Sequence, residues 1–354
     1  MVWTKPTYSG TRRTKAGLAL AGNRETPEDL IVIDNWRSSH APPLQTIKML
    51  LKRRAKSVDA DATVAQRLKR LSSIRAKLQR ESIRLQQMQD LGGCRAIVKN
   101  MASLRKLTKI FDSSFEKNPK RPDLKRHSLV DKKDYISSPK PDGYRSVHYV
   151  LSYQTLTPYL ECYNGHLIEV QIRTRLQHAW ATAVEIVDAF TGQSLKSALR
   201  TNIGDATWRR FFAVSASAFA LREKTSLITG VASEPRALRG DLRQLVARTN
   251  VVHVLRGLSA GVKLVGNVSA SAKSYVLTLD MKKRVVTVMQ FDEESQAQAY
   301  LFKQEREVEA NPNLQVVQVS VEKMQALRTA YPNYYLDTSY FISALDEATL
   351  AKDA

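Results

Sequence analysis

The sequence predicts an α+β protein: a mixed β-sheet flanked by helices, followed by a small C-terminal α+β module. The first observation is the order of hydrophobic patterns, which runs helix, strand, helix, strand, strand, helix over the first two thirds of the chain. The second is that the last third returns to short alternating segments. The third is charge: residues 1–230 carry 40 Lys and Arg against 20 Asp and Glu, whereas residues 231–354 carry 15 against 14. We therefore predict two units, of which only the first is strongly basic.

Composition excludes several classes of protein. Hydrophobic residues make up 43% of the 354 residues, which is enough for ordinary globular cores. The net charge of +21 favours an acidic partner such as a nucleotide, a nucleic acid or an anionic membrane surface. Cys94 and Cys162 are too few for a disulfide framework or a four-cysteine zinc site, and they fit a reducing compartment. Since there is no apolar run of membrane-spanning length and no secretion signal, we predict a cytoplasmic protein with no membrane partner.

The apolar positions predict the elements of the first unit in order. Residues 46–89 have helical spacing, and they follow a basic N-terminal arm that we place at 1–29 and expect to be loose. A strand at 94–98, a helix at 101–116 and a polar, basic loop at 118–133 come next. Two alternating strands and two helices complete the unit, at 146–153, 167–174, 176–188 and 206–227.

The second unit begins after a small, polar segment that contains Gly230 and Pro235. We place a linker at 229–236, between a first domain at 30–228 and a C-terminal domain at 237–354. Three strands of a small meander, a helix, a strand and a mostly helical end are predicted in the C-terminal domain, at 263–270, 274–280, 284–291, 294–310, 314–321 and 321–345.

Two carboxylates occupy unusual positions in the predicted sheet. Asp90 lies beside two glycines at the start of a strand, and Glu169 lies inside the otherwise apolar strand LIEVQIRT. A carboxylate in a buried strand is costly unless it is paired or binds a metal. On neighbouring strands the two could hold one Mg²⁺ against a polyphosphate. Salt bridges are the commoner explanation for such a pair.

A basic segment, RLKRLSSIRAK, is predicted to be helical. Ser73 and Lys77 would share one helical face, with Lys69 one turn earlier and Arg67 at its edge. Cations in this arrangement could bind phosphates and stack on a base. The ordinary alternative is a solvated basic face.

A third segment, DYISSPKPDGYRSVHYV, predicts a stiff turn before a strand. Two prolines and Gly143 would shape the turn and deliver Lys140, Tyr144 and His148 next to that strand. Tyr144 could stack on a base, while the other two side chains could contact phosphate or ribose. An ordinary hairpin with a packed tyrosine is the alternative.

Together, QDLGGCR, DYISSPKPDGYRSVH and EVQIRTRLQHAWA resemble the core of the RelA/SpoT-type pyrophosphotransferase domain found in small alarmone synthetases. The resemblance extends over residues 30–225, and NWRSSHAPPL near its start is also similar to these synthetases. It implies a nucleotidyltransferase-like synthetase fold with a Mg²⁺ cofactor. It also implies transfer of the β,γ-pyrophosphate of ATP to a ribose 3′-hydroxyl, with release of AMP.

The resemblance also implies roles for single residues. Asp90 and Glu169 match the family's two catalytic and metal-binding acids, and Glu169 would also help to deprotonate the hydroxyl. The ATP-binding residues would be Arg67, Lys69, Ser73, Lys77 and Arg95. The acceptor-binding residues would be Lys133, Lys140, Tyr144, His148 and Gln171. Asp142 stands where many members have asparagine, which weakens the inference that a guanine nucleotide is the acceptor.

Two acceptors are known for this family: GDP or GTP, which gives the alarmone (p)ppGpp, and the CCA end of tRNA, whose modification stops translation. We expect tRNA here, because the charge of the first unit exceeds what a mononucleotide pocket needs and because the C-terminal module is additional. The segment 117–133 holds seven Lys and Arg against two Asp, which suits contacts with a phosphate backbone. We assign the tRNA contacts to Lys120, Arg121, Lys125 and Arg126. A (p)ppGpp synthetase is the alternative.

The C-terminal module carries the motif YPNY. Pro332 interrupts a predicted helix there and would present Tyr331 and Tyr334 in an exposed turn. A YxxY motif in a zinc-finger-like module that lacks zinc ligands resembles the fused toxin–antitoxin synthetases called CapRel. That resemblance implies that the two tyrosines block the adenine site of ATP. It further implies that a phage major capsid protein binds the module and relieves the block, as a defence against phage. The alternative is an amphipathic helix that buries its rings.

Three functions therefore compete. The leading hypothesis is a monomeric, tRNA-modifying toxin restrained by its own C-terminal module. The second is a (p)ppGpp synthetase whose extra domain is allosteric. The third is a catalytically silent RNA-binding protein, against which the intact pair of Asp90 and Glu169 argues.

Overall fold

The computed structural model describes residues 3–115, 127–191, 206–259, 263–265, 274–283, 285–309, 311, 313–319 and 337–350. The α-helices of these residues are α1 (Gly10–Ala21), α2 (Pro27–Ser38), α3 (Ala41–Val58), α4 (Leu71–Arg80), α5 (Met101–Asp112), α6 (Arg175–Thr191), α7 (Ala206–Glu223), α8 (Pro235–Thr249), α9 (Val251–Ser259), α10 (Glu294–Glu309) and α11 (Ser339–Leu350). The strands are β1 (Thr63–Leu68), β2 (Gly92–Val98), β3 (Ser128–Asp134), β4 (Val147–Ser152), β5 (Leu167–Thr174), β6 (Lys263–Val265), β7 (Ser274–Asp280), β8 (Val285–Phe291) and β9 (Leu314–Val319). Short 3₁₀ helices span Leu85–Gln87 and Pro158–Tyr163.

The first sheet has five strands in the order β1-β2-β5-β4-β3. Strands β2 and β5 are parallel and the other neighbouring pairs are antiparallel, so the predicted mixed sheet is confirmed. Helices α3 and α5 bury residues such as Ile47, Leu107 and Phe111 in one apolar cluster with Ile168 and Ile172 of β5. Because side chains alternate along a strand, Glu169 and Gln171 lie on the opposite face.

The second sheet has four strands in the order β6-β8-β7-β9, with α10 packed against it. Strand β6 pairs with β8 in parallel, so the predicted simple meander is wrong at this strand. Two parallel neighbouring strands need a crossover connection. Here β7 lies between β6 and β8 in the sequence, although β6 and β8 are neighbours in the sheet. Helix α11 extends back to the first unit, where the ring of Phe341 lies 5.7 Å from that of Phe219 on α7. The zinc-finger-like character of this module and the domain limits remain predictions.

Two predictions for the N-terminal part are wrong. The first residues are not a loose arm, because α1 buries Ala16 and Leu20 in one cluster with residues of α2 and α4. Residues 46–89 are not one helical region, because β1 lies between α3 and α4. Ala65 and Leu68 are buried in two different apolar clusters. With both faces covered, this strand does not show the alternation by which strands are usually recognised.

The C-terminal module contacts the first unit through a buried acid. Glu305 on α10 is 5% exposed, and its Oε2 accepts a hydrogen bond from Nη1 of Arg37 in α2 at 2.5 Å. Its Oε1 accepts a hydrogen bond from the backbone N–H of Leu71, the first residue of α4, at 3.0 Å. The preceding residue, Arg70, supplies no side-chain cap to this helix. A carboxylate from the C-terminal module therefore caps α4.

None of the helices within the described residues combines the length and the apolar composition needed to cross a bilayer.

Candidate active site

A small cleft of about 110 Å³ opens on the first sheet, on the face away from α3 and α5. Residues of β1, β2, β5 and their connecting segments line it: Ala65, Arg67, Lys69, Asp90, Gly93, Cys94, Arg95, Glu169 and Gln171. Two carboxylates and three cations thus meet in one place. Such a combination can bind a polyanion together with a divalent cation.

The strand register explains why predicted site residues that are distant in sequence come together. Arg95 on β2 is opposite Gln171 on β5, and Gln171 is opposite His148 on β4. His148 is in turn opposite Lys133 on β3. These four residues form one row across the sheet. The row runs from the predicted ATP side, at Arg95, to the predicted acceptor side, at Lys133.

Asp90 lies two residues before β2 and is held by two predicted ATP ligands. Its carboxylate accepts hydrogen bonds from Nζ of Lys69 at 2.8 Å and from Nζ of Lys77 at 3.0 Å. Lys77 and Ser73 lie on α4, but Lys69 precedes that helix and Arg67 belongs to β1. Ser73 and Lys77 share one face of α4, as predicted, but the prediction that Lys69 and Arg67 extend the same helix is wrong. The cations converge because strand β1 turns directly into α4.

Glu169 accepts hydrogen bonds at both carboxylate oxygens. Nδ1 of His148 lies 3.0 Å from Oε1, and Nε2 of Gln171 donates to Oε2 at 2.7 Å. Burial on its own would raise the pKa of Glu169, but the hydrogen bonds from His148 and Gln171 outweigh it and lower this pKa to about 2. Glu169 is therefore ionised at neutral pH. A carboxylate with so low a pKa is better suited to bind a cation than to act as a strong base.

The turn before β4 has the predicted role of delivering side chains to this site. Gly143 has φ +97°, and a Cβ atom there would lie 2.7 Å from Cβ of Ala216, so the turn requires glycine. Nζ of Lys140 lies 5.2 Å from the centroid of the Tyr144 ring. Asp142 accepts a hydrogen bond from the backbone N–H of Tyr144 at 2.8 Å, which the side-chain oxygen of asparagine could equally accept.

Several predicted residues stand apart from the cleft or outside the described part of the chain. Lys133 is 54% exposed at its side chain and pairs with Asp131 at 3.1 Å. The predicted tRNA contacts and the two tyrosines lie outside the described residues: Lys120, Arg121, Lys125, Arg126, Tyr331 and Tyr334.

Beyond the lining residues of the cleft, two side chains that contact predicted site residues were not predicted themselves. Arg173, at the end of β5, donates hydrogen bonds to Tyr144 and Gln171. The second is Tyr135, whose ring centroid lies 4.3 Å from Nζ of Lys140. Alternation along β5 places Arg173 on the same face as Glu169 and contains the signal for it. No such periodicity marks Tyr135, which lies in an irregular segment.

The carboxylates of Asp90 and Glu169 fit a Mg²⁺ ion that is completed by substrate. Protein-bound Mg²⁺ usually takes one or two carboxylates, with waters and phosphate oxygens as its other ligands. Within the described residues, no group of three or more His, Cys, Asp or Glu is arranged to hold a metal. The donor set therefore suits an ion that arrives with a nucleotide, and not a cage built from protein alone.

Comparison with known proteins identifies the family. The region found in RelA / SpoT proteins matches residues 66–187, which include every lining residue of the cleft except Ala65. GTP pyrophosphokinase YjbM of Bacillus subtilis is 30% identical over 180 residues, which cover 49% of this chain and 74% of that protein. A GTP pyrophosphokinase of Photobacterium angustum is 28% identical over 123 residues, which cover 35% of this chain and 14% of that protein.

The chain is also similar to solved structures of synthetases and pyrophosphokinases. Small alarmone synthetase 1 from Bacillus subtilis, bound to its product pppGpp, has a TM-score of 0.40 and 25% identity, over 52% of this chain and 89% of that chain. A GTP pyrophosphokinase family protein from Streptococcus pneumoniae has a TM-score of 0.39 and 20% identity, over 60% and 93%. On the matched region and the 30% identical relative, the chain belongs to the RelA/SpoT family of pyrophosphokinases.

Proposed function

We propose that this protein transfers the β,γ-pyrophosphate of ATP to a ribose 3′-hydroxyl, and that a guanosine nucleotide, GDP or GTP, is its acceptor. The observation that carries the proposal is the cleft in which Asp90 and Glu169 meet the cations Arg67, Lys69 and Arg95. Transfer of this kind depends mainly on alignment of the reactants and on neutralisation of charge. The cleft supplies both without a covalent nucleophile.

The residues divide between donor and acceptor. Lys69, Lys77 and Arg67 hold the phosphates of ATP, and Asp90 and Glu169 hold Mg²⁺. When bound, the ion neutralises charge on the phosphates and fixes their geometry. Glu169, kept ionised by its hydrogen bonds, also accepts the hydrogen bond of the attacking hydroxyl.

The acceptor side consists of the ring of Tyr144, the row through His148 and Gln171, and Lys140. The ring can stack on a base, and Lys140 at 5.2 Å from it can contact acceptor phosphate. The name of the relative from Bacillus subtilis, a GTP pyrophosphokinase, favours a guanosine nucleotide. Asp142 is compatible with that choice, because it contacts the backbone of its own turn.

The CCA end of tRNA is a second candidate acceptor. The observation that favours it is charge, since residues 1–230 have a net charge of +20 and the rest of the chain +1. A cationic surface of this size binds nucleic acid through its phosphates. In this case the protein acts as a cytoplasmic toxin that stops translation.

We further propose that the C-terminal module restrains the site and that a phage protein releases it. Glu305 caps α4, which carries Ser73 and Lys77. Ala65, which lines the cleft, belongs to the same apolar cluster as Leu279 of β7.

One assay tests the reaction and its acceptor together. Full-length protein is incubated with Mg²⁺ and ATP labelled at the γ-phosphate, and with GDP, GTP or deacylated tRNA in separate reactions. We expect label in GDP or GTP. Label that appears in intact tRNA, but not in tRNA whose 3′ ribose was oxidised with periodate before the reaction, would favour the second candidate. If a folded protein labels none of the three, the proposed pyrophosphate transfer is wrong.

A matched variant shows that a change in the assay reports on the cleft. Asp112→Asn removes a carboxylate that pairs with Lys132 at 2.8 Å outside the cleft. We expect this variant to retain wild-type transfer. A loss of label with Asp112→Asn would mean that the assay reports on general stability.

A further inference from the structure

Arg173 is a buried cation beside the site, and the proposed chemistry does not use it. It is 5% exposed and lies at the end of β5. Its Nη2 donates hydrogen bonds to the hydroxyl of Tyr144 and, at 2.8 Å, to Oε1 of Gln171. Its Cζ also lies 4.8 Å from the centroid of the Tyr144 ring. A side chain this buried offers little surface to a substrate, and its hydrogen bonds go to two other residues of the site.

The first path from Arg173 to Glu169 runs through two side chains. The hydroxyl of Tyr144 lies 2.7 Å from Nε2 of His148, and Nδ1 of His148 lies 3.0 Å from Oε1 of Glu169. A guanidinium can only donate and an ionised carboxylate can only accept. In the neutral imidazole, Nδ1 therefore carries the proton and donates to Glu169. Nε2 accepts the proton of Tyr144, whose oxygen accepts from Arg173.

The second path runs through one side chain. Because Arg173 donates to Oε1 of Gln171, the amide is oriented with its NH₂ group towards the carboxylate. Nε2 of Gln171 then donates to Oε2 of Glu169 at 2.7 Å. One guanidinium nitrogen thus fixes both oxygens of Glu169 by two separate paths.

We propose that Arg173 is a positioning residue, which aligns the Tyr144 hydroxyl on His148 and the Gln171 amide on Glu169 and so joins both site residues to the ring of Tyr144. The inference rests on the proposed pyrophosphate transfer. The two paths hold the ring of Tyr144 and the carboxylate of Glu169 in one fixed arrangement. The ring stacks on the acceptor, and the carboxylate accepts the hydrogen bond of the attacking hydroxyl. Orientation of this kind is how residues outside direct substrate contact affect a reaction.

Kinetics of the full chain test the role of Arg173. Arg173→Lys keeps the charge but ends one bond short of Nη2, so it should not reach both acceptors. We expect kcat to fall by about 10–100-fold and KM for ATP to change less than about twofold, because the ATP ligands are untouched. The matched control is Arg175→Lys, at an exposed position two residues on, which should keep wild-type kcat. A folded Arg173→Lys variant with wild-type kcat would overturn the proposal.

A double-mutant cycle separates positioning from general stability. Tyr144→Phe removes the hydroxyl from the first path and keeps the ring. If Arg173 acts partly through that hydroxyl, Arg173→Lys with Tyr144→Phe lowers kcat by clearly less than the product of the two single effects. If the double variant lowers kcat by the full product of the two single factors, the two residues act independently. That result would overturn the link through Tyr144.

A spectroscopic measurement keeps the inference separate from the proposed reaction. Nitrogen NMR of histidine-labelled protein reports which ring nitrogen of His148 carries the proton, and His148→Gln identifies its signals. We expect the Nδ1-protonated tautomer in the wild type, because Glu169 accepts from Nδ1. Tyr144→Phe removes the hydrogen bond to Nε2 and should shift the Nε2 resonance, and Arg173→Lys should shift it in the same direction because the hydroxyl loses its alignment. A wild-type Nε2 resonance in folded Arg173→Lys would overturn the positioning role. A wild-type protein that has this tautomer but labels no acceptor would contradict the proposed function alone.

Discussion

Glu305 and Arg37 form a buried ion pair between two parts of the chain that are 268 residues apart, with Oε2 and Nη1 separated by 2.5 Å. Arg37 is 2% exposed and also pairs with Asp34 at 2.6 Å. Removal of one member of a buried pair leaves the other charge without compensation, which costs far more than the loss of a surface ion pair.

The buried ion pair predicts that a conservative substitution of Glu305 strongly destabilises the folded protein. Glu305→Gln keeps the size of the side chain and removes its charge. We expect the free energy of unfolding in urea to fall by about 3 kcal/mol. Glu307→Gln, at an exposed position on the same helix, is the matched control and should change stability by less than about 0.5 kcal/mol. Equal stability of the two variants would mean that the pair does not hold the module in place.

The two carboxylates predict loss of activity without loss of fold. Asp90→Asn and Glu169→Gln each remove a charge and conserve volume. We expect transfer from labelled ATP to fall by about 100-fold or more in each, with circular dichroism spectra like that of the wild type. Near-wild-type turnover in either variant would exclude that carboxylate from the reaction.

If tRNA, the second candidate, is an acceptor, the basic segment predicts how its modification depends on salt. Reversal of charge at Lys120, Arg121, Lys125 and Arg126 should weaken the modification. It should also reduce the slope of log affinity against log salt by about 3, because each lost phosphate contact lowers that slope by about 0.7–0.9. Transfer to free GDP should be largely unchanged.

An equal number of charge reversals on the C-terminal module provides the control. Exposed basic residues suited to this comparison are Lys282, Lys283, Lys303 and Arg306. If these reversals reduce the salt slope and the first set does not, tRNA binds elsewhere.

The YPNY motif predicts a change in ATP affinity. If Tyr331 and Tyr334 compete for the adenine site near Arg67, their replacement by alanine should lower the Kd for ATP by about 5–30-fold, the equivalent of one or two cation–π contacts. Isothermal titration with full-length protein measures it. Tyr340→Ala, at a half-exposed position on α11, is the control. Unchanged affinity in a folded double variant would show that the tyrosines do not reach the site.

Two buried histidines predict a loss of stability in mild acid. Burial lowers the pKa of His166 to about 4, and it also lowers the pKa of His40, whose ring centroid lies 4.6 Å from that of His166. Between pH 6.5 and 4 the unfolded chain therefore binds more protons than the folded one. Stability is complete above the unfolded value and is lost as the pH falls. For His166, we expect a loss of about 1.6 kcal/mol between pH 6.5 and 5.

Urea unfolding at the two pH values measures this loss. His166→Gln keeps a polar group near Oγ of Ser39, which lies 2.9 Å from Nε2 of His166, but it cannot titrate. The variant should lose less stability than the wild type over the same interval. An equal loss would assign the acid sensitivity to other groups.

Local patterns made much of the first unit predictable. The strand at 167–174 agrees with β5 at both ends, because its alternation is regular and both of its neighbours are strands. Strand β1 was missed because Ala65 and Leu68 are buried on opposite faces and their spacing of three residues imitates a helix.

Contacts between distant segments could not be predicted in the same way. Glu305 has the ordinary sequence context of an exposed, charged helix, QEREVE, and only the packing of the C-terminal module buries it. The motif residues of the site were predictable through the family resemblance. The direction of the hydrogen bonds that lead from Arg173 to Glu169 could not be predicted, because it depends on which side chains lie close together in the fold.

The cap on α4 has a consequence for biosynthesis. The ribosome releases Leu71 long before Glu305, so the nascent first unit emerges without the carboxylate that caps the start of α4. Domains generally fold in the order in which they are made. The first turn of α4 therefore receives its cap only after residue 305 has been made. A chain that ends before residue 305 never receives this cap.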